Sequence, residues 1–294
     1  MPNPGNLPLD PKRLASLDCS HPKGSSYHLV TTMFRSFSPK EFPLTPYEYP
    51  ISEVNGVEEE GLFNHLRSII PDETRFCIEF GAGNGQDFLA VRDLIERHGY
   101  SALLIEGDPT QAKELRRNYE GNERVHCVES FITRKNIEDL FRQNSVPDSP
   151  DFLLIDIDGN DYYIWEALVS YKPKIVCIEY NASYAPSEDF VVEYDPGLNW
   201  QRDDYHSASI TMLVKLGKQK GYELIHCKTI GDNLIFVQAD LFHLFNIPDN
   251  SPQAMYQLPW RGIYGRADNG KGHPASRRTT GAMNRLWYFI GIIY

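Results

Sequence analysis

Five continuous apolar runs, each followed by a stretch of different character, dominate the middle of this chain. They are "RFCIEFGAG" (75–83), "YSALLIEGDP" (100–109), "RVHCVES" (124–130), "DFLLIDID" (151–158) and "KIVCIEYNAS" (174–183). Runs of this kind are strands covered on both faces, which requires a parallel sheet with helices on each side. Between them, "GQDFLAVRDLIERHG" (85–99), "TQAKELRRNYEG" (110–121), "RKNIEDLFRQN" (134–144) and "NDYYIWEALVSY" (160–171) read as helices. Gly99 stops the first and Thr110 caps the second. After an irregular stretch, "SASITMLVKLGKQKG" (207–221) reads as a further helix. "YELIHCKTIGDNLIFVQADL" (222–241) reads as two strands joined around Gly231-Asp232, a hairpin signal. The expected fold is α/β: a doubly wound, mostly parallel seven-stranded sheet with a closing antiparallel hairpin.

The flanks differ. Residues 1–60 are rich in Pro, Ser and Tyr and form an N-terminal arm or cap, with a helix near 57–70. The regular pattern defines a domain over 61–245, and 246–294 is a polar, Gly- and Arg-rich C-terminal extension. The arm and segment 183–205 carry Tyr27, Tyr47, Tyr49, Tyr184, Tyr194 and Trp200, apolar bodies with polar tips that suit a cover over a ring-bearing ligand.

Composition narrows the partner classes. A net charge of −11 argues against nucleic acid and against an anionic membrane surface, since both reward excess Lys and Arg. The five cysteines form no CxxC pair, so neither a zinc site nor a disulfide framework is indicated. The first residues lack a signal peptide's apolar stretch. The terminal run "LWYFIGIIY" is far shorter than the ~20 residues of a spanning helix. A cytoplasmic enzyme is expected, with a small-molecule partner and self-association into a homo-oligomer left open.

In open parallel sheets ligands bind beyond the carboxyl ends of the strands. Glu79 and three alternating glycines, Gly81, Gly83 and Gly85, follow the first strand; Glu106, Gly107 and Asp108 follow the second. Glu129 and Ser130 follow the third, Asp156 and Asp158 the fourth, Glu179 and Asn181 the fifth. So acidic a crest does not suit a phosphate-rich cofactor; it suits hydroxyls, an amine and a positive sulfur, or a metal ion. A dinucleotide fingerprint G-x-G-x-x-G would need glycine at position 86, where Gln86 stands. The alternative for the glycines is a tight structural turn.

"IEFGAGNGQD", "LLIEGDP" and "DFLLIDIDGNDYYIWEAL" together resemble a class I S-adenosylmethionine-dependent methyltransferase, with its Rossmann-like sheet, over residues 74–240. The last segment, with "KPKIVCIEYNA" after it, is most similar to the FkbM-type group. The resemblance implies that Gly81, Gly83 and Gly85 let the backbone approach the methionine part of the cofactor and that Glu79 faces its ammonium. Glu106 would accept both ribose hydroxyls, and Ser130 and Phe131 would lie against the adenine. Asp156 would close the methionine end, and Asp87 and Gly107 complete the cofactor set. Where that group usually shows an acid after "DxDG", this chain has Asn160-Asp161.

Asp156, Asp158, Glu179 and Asn181 are hard oxygen ligands on adjacent strand ends, the composition expected for Mg²⁺ or Ca²⁺. The alternative is that Asp156 and Glu179 bind cofactor and substrate directly while Asp158 caps a helix. His206, just ahead of the last helix, titrates near neutral pH and is the candidate general base beside Asp156; the alternative is an ordinary surface cap. His126 and His226 fall in strand patterns and read as structural. The expected activity is S-adenosylmethionine-dependent methylation of a hydroxyl on a natural product or sugar-like molecule, with Mg²⁺ as the second cofactor the acids could hold. An N-methyltransferase and a nicotinamide-dependent oxidoreductase are the alternatives. A non-catalytic relative would have no use for so many exposed acids.

Overall fold

The computed structural model describes residues 57–257, apart from 88, 199, 201–204, 229 and 230. Most of the expected arm and C-terminal extension, and the tyrosines of the arm, lie outside the described residues. Five parallel strands form in sequence: β1 (Phe76–Phe80), β2 (Ser101–Glu106), β3 (Val125–Glu129), β4 (Phe152–Ile155) and β5 (Ile175–Glu179). β6 (Tyr222–Cys227) and β7 (Asn233–Gln238) are antiparallel to each other, and β7 lies antiparallel against β5. The order across the sheet is β3-β2-β1-β4-β5-β7-β6. This is the mostly parallel seven-stranded sheet with a closing hairpin that the apolar runs imply.

The order reverses at β1. The chain runs outward through β2 and β3, then returns to lay β4 on the other side of β1. Right-handed crossovers put the helices before and after that return on opposite faces, which makes the sheet doubly wound and opens a crevice between β1 and β4. Ile78, Leu103, Ile105, Ile155, Val176 and Ile178 are buried to within 1% of full burial, as central strands covered on both faces must be. β3 is an edge strand and stays half-exposed, so Cys127 and His126 are less buried than their apolar context suggests.

The helices are α1 (Val57–Ile69), α2 (Arg92–Glu96), α3 (Pro109–Asn118), α4 (Ile137–Gln143), α5 (Asp161–Ala167), α6 (Ile210–Lys220) and α7 (Pro252–Met255). Two differ from expectation at the crest. α2 is only five residues long, because Asn84 ties the chain into a loop by accepting the N–H groups of Gln86 and Asp87. α3 is capped by Asp108 and not by Thr110. The Asp108 carboxylate accepts the N–H of Thr110 and Gln111, and Pro109, with no N–H to satisfy, takes the first helical position. α6 ends as expected at Gly221, whose φ of 83° is the left-handed cap that glycine adopts without strain. Among the described residues no helix is long and apolar enough to cross a membrane.

Candidate active site

The carboxyl ends of β1, β2, β4 and β5 open into a cavity of about 650 Å³. It lies at the crevice where the strand order reverses. Of the residues singled out from the sequence, Glu79, Gly81, Glu106, Gly107, Ser130, Phe131, Asp156, Asp158 and Glu179 line it. Gly83, Gly85, Asp87, Asn181 and His206 stand outside its wall.

The glycines serve different needs. Gly81 has a φ of 73°, and a Cβ there would stand 2.2 Å from the Asp156 carbonyl oxygen, so only a bare backbone lets β1 and β4 end side by side. The Gly83 N–H donates to Glu106 Oε2 at 2.7 Å. Gly85 faces Leu115 and Tyr119 of the α3 region, where a Cβ would fall 2.6 Å from Leu115 Cδ1; it packs the loop on the helix. Gly81→Ala is therefore expected to cost about 1–3 kcal/mol in overpacking beyond the conformational term. At ~2–4 °C per kcal/mol, the melting temperature should fall by at least several degrees. Gly121→Ala is the control: its φ is 83°, but a Cβ there would meet nothing within 4 Å, so it should suffer the conformational term alone. Equal melting temperatures for the two variants would show that Gly81 is not sterically required.

Glu106 is held from both sides. Gly83 N–H reaches one oxygen and Asp108 N–H the other, each at 2.7 Å. The carboxylate is thereby fixed at the cavity wall, and each oxygen keeps a lone pair for a further donor. Phe131 stands beside it with 71% of its surface exposed, its ring 3.2 Å from where a Gly107 Cβ would be. So large an exposed aromatic on a cavity wall is a platform for a planar group. Glu79 is 2% exposed, and its oxygens accept the N–H of Ala90 (3.2 Å) and Val91 (3.0 Å) just before α2. Its charge reaches the cavity while its geometry is set by that turn.

The β4 and β5 ends build an acidic cluster. Carboxylate oxygens of Asp156, Asp158 and Glu179 lie within 4.8 Å of one another. Desolvation, with the charges of Glu179, Asp161 and Asp158 added, pushes the Asp156 carboxyl well above the usual carboxylate range. Asp161 is fully buried. Desolvation and the Glu179 charge push it up to about 7, although Ile157 N–H, Gly159 N–H and the Ser207 hydroxyl all bond to it. Ser207 Oγ lies 2.9 Å from Asp161 Oδ2 and 2.6 Å from Glu179 Oε2. One hydroxyl proton can serve only one of them, so an extra proton on the Asp161 side completes the chain. Asp158 and Ser207 both hold positive φ (55° and 47°), rare for side chains other than glycine's, on either side of this cluster.

Asn181 and His206 sit behind the cluster. The Asn181 amide is committed to the backbone: Nδ2 donates to His206 O (3.0 Å) and Oδ1 accepts from Ser183 N (3.0 Å). Its work is to dock the segment that carries His206. His206 Nδ1 is 3.4 Å from Glu179 Oε2 and 3.3 Å from Ser207 Oγ. Burial works to lower its pKa, but the charges of Glu179, Asp161 and Asp158 outweigh that and raise it. His226, in β6, is buried and pushed down to about 4, which fits a structural histidine.

Several wall residues were not singled out as site residues. Asn160, Leu198, Asp232 and Asn233 line the acceptor end, together with Trp200. Asp232 and Asn233 belong to the hairpin turn, legible only as a turn. They reach the cavity because β7 inserts between β5 and β6, pairing Asn233 with Glu179. Ser207, the link between two acids, carried no spacing signal.

No protein-family model matches this chain, and no curated protein matches it. Among solved structures, the N-terminal domain of EvdMO1, in the presence of SAH and D-fucose, is 16% identical with a TM-score of 0.42, covering 74% of this chain and 99% of that one. An O-methyltransferase from Bacillus cereus in complex with SAH is 18% identical with a TM-score of 0.41, covering 74% and 92%. The CurJ carbon methyltransferase is 11% identical with a TM-score of 0.41, covering 63% and 54%. These neighbours are methyltransferases acting on different atoms. At such scores the function of this chain has to be argued from its own site.

Proposed function

We propose that this protein is an S-adenosylmethionine-dependent methyltransferase of the FkbM type that methylates a hydroxyl of a small molecule. The observation that supports this most is the Glu106 carboxylate, pinned by two backbone N–H groups at the end of β2 with a lone pair on each oxygen facing the cavity. A fixed carboxylate in that position suits a ribose diol. Phe131, exposed beside it, suits an adenine face, and the bare backbone at Gly81 leaves room for a chain running toward Asp156. When bound, the cofactor supplies an electrophilic methyl on a positively charged sulfur. Glu79, Asp156 and Glu179 give that end of the cavity the negative potential a sulfonium and an ammonium require.

The protein's remaining tasks are to align the acceptor oxygen, shed water and remove a proton. Two devices for the proton are compatible with the cluster. Asp156, Asp158 and Glu179 fit a divalent ion as three converging oxygen donors, and an ion would acidify a bound hydroxyl. Asn181, already bonded on both sides, would not be needed as a fourth ligand. Alternatively, His206 takes the proton by way of Glu179 and Ser207. An N-methyltransferase would use the same cofactor wall with less base assistance. A nicotinamide-dependent oxidoreductase fits less well, because no Lys or Arg among the described residues lines the cavity to meet a pyrophosphate.

Titration calorimetry with SAH, and separately with NAD, is the test. Binding of SAH with micromolar affinity and none of NAD is expected. The opposite result would overturn the methyltransferase reading.

A further inference from the structure

The acceptor end of the cavity carries an unusual set of unpaired atoms. Asn160 Oδ1, Asp232 Oδ1 and Asn233 Oδ1 are buried, line the same cavity and have no hydrogen-bond partner among the described residues. Asn160 is 6% and Asn233 3% exposed. The orientation of Asn160 is fixed, because its Nδ2 donates to Asp195 O at 2.7 Å. Asp232 gives its other oxygen to the buried ammonium of Lys228 at 3.0 Å. A buried polar atom left without a partner carries its whole desolvation penalty, and folded proteins seldom keep one without a reason. Here three fall together, from the loop before α5 and the turn before β7. All three are acceptors.

The surroundings fix the matching ligand. Asp156, Asp158 and Glu179 add further acceptors, while no Lys, Arg or His among the described residues lines the cavity. Leu198, packed over Gly159, and Trp200 add an apolar face. We propose that Asn160, Asp232 and Asn233 select an acceptor molecule dense in hydrogen-bond donors and free of anionic groups: a polyhydroxylated or amino-substituted ring lying against Leu198 and Trp200. A carboxylate or phosphate on that ring would meet only acceptors and negative charge. This rests on the methyltransferase reading for the role of the ligand, but not for its chemistry.

Asn233→Leu, nearly isosteric, separates a binding role from a structural one. Without ligand, its melting temperature should equal or exceed that of the wild type, since an unpaired buried acceptor is removed. SAH affinity should stay within twofold. A fall of several degrees would mean that the Asn233 oxygen supports the fold, and the proposal would be lost. The second arm measures thermal stabilisation of the full-length protein, with SAH present, by methyl glucoside, glucosamine, glucuronate and glucose 6-phosphate. Polyols stabilise any protein by exclusion from its surface, so the reading is the wild-type shift minus the Asn233→Leu shift. Methyl glucoside or glucosamine should give a positive difference and the two anions none; which of the first pair is larger tells hydroxyl from ammonium recognition. A larger difference with either anion, or no difference with any probe, overturns the proposal. Failure of the wild type to bind SAH would remove the methyltransferase reading, while the differences among probes would still judge the pocket.

Discussion

Glu106→Ala should weaken SAH binding by about 100-fold or more. Hydrogen bonds to a charged partner contribute about 1.5–3 kcal/mol each. Two ribose hydroxyls on one carboxylate therefore represent roughly 3–6 kcal/mol, and every 1.4 kcal/mol is about tenfold in affinity. The variant also frees Gly83 N–H and Asp108 N–H. The Asp108 bond is exposed, so water can replace it, and the sheet beneath does not depend on either. Glu106→Gln keeps the shape and one acceptor oxygen but turns an amide donor toward a backbone N–H. It should fall between wild type and Glu106→Ala. Calorimetry with SAH checks both, and far-ultraviolet circular dichroism checks that the sheet persists. Affinity unchanged in Glu106→Ala would remove that residue from the cofactor site and take the strongest support for the proposed function with it.

The parts of this molecule written in local chemistry were legible in its sequence. Strands buried on both faces cannot hide their composition, and all five apolar runs became parallel strands. The Gly231-Asp232 signal gave the hairpin. Acids at strand ends were found because strand ends are countable. What stayed hidden depended on pairing. Nothing local says that β7 lies between β5 and β6, and without that insertion Asp232 and Asn233 would have no route to the cavity. Helix lengths failed where a tertiary bond intervened. Glu79 draws the Ala90 and Val91 N–H groups inward, and Asn84 holds the preceding loop, so an amphipathic pattern from Gly85 to Gly99 yields a helix only from Arg92. His206 and Asn181 show the same limit. Their residue types suggested base and ligand, but the structure spends the Asn181 amide on holding the His206 segment.

The crowding of acids leads to the second large effect, a fall in stability of the metal-free protein as pH rises from about 6.5 to 8. Asp156 and Asp161 have folded pKa values above the ordinary carboxylate range, the latter about 7, and His206 is also raised. Each group holds its proton more tightly in the folded state. Each therefore contributes stability that is complete below its unfolded pKa and is lost as pH climbs through the folded value. His226, pushed down to about 4, has the opposite sign, but its effect lies below its ordinary value near 6.5 and is spent before this window opens. The groups held low by their partners, Asp72 and Glu138, act only in acid. One excess proton in the folded state gives a slope of about 1.4 kcal/mol per pH unit. Over 1.5 units that is about 2 kcal/mol, or roughly 4–8 °C in melting temperature. A divalent ion on Asp156, Asp158 and Glu179 would reverse the preference, because ligands bind metal in their deprotonated form. Millimolar Mg²⁺ should then flatten the slope and raise the melting temperature most at pH 8. EDTA should abolish methyl transfer, while His206→Ala keeps measurable turnover. If Mg²⁺ leaves the slope untouched and His206→Ala is the variant that loses activity, the acids serve cofactor and acceptor directly and His206 is the base. A melting temperature that rises with pH in EDTA would mean that these carboxyls are ionised in the folded protein, and that the charge repulsion assigned to the cluster is relieved in some other way.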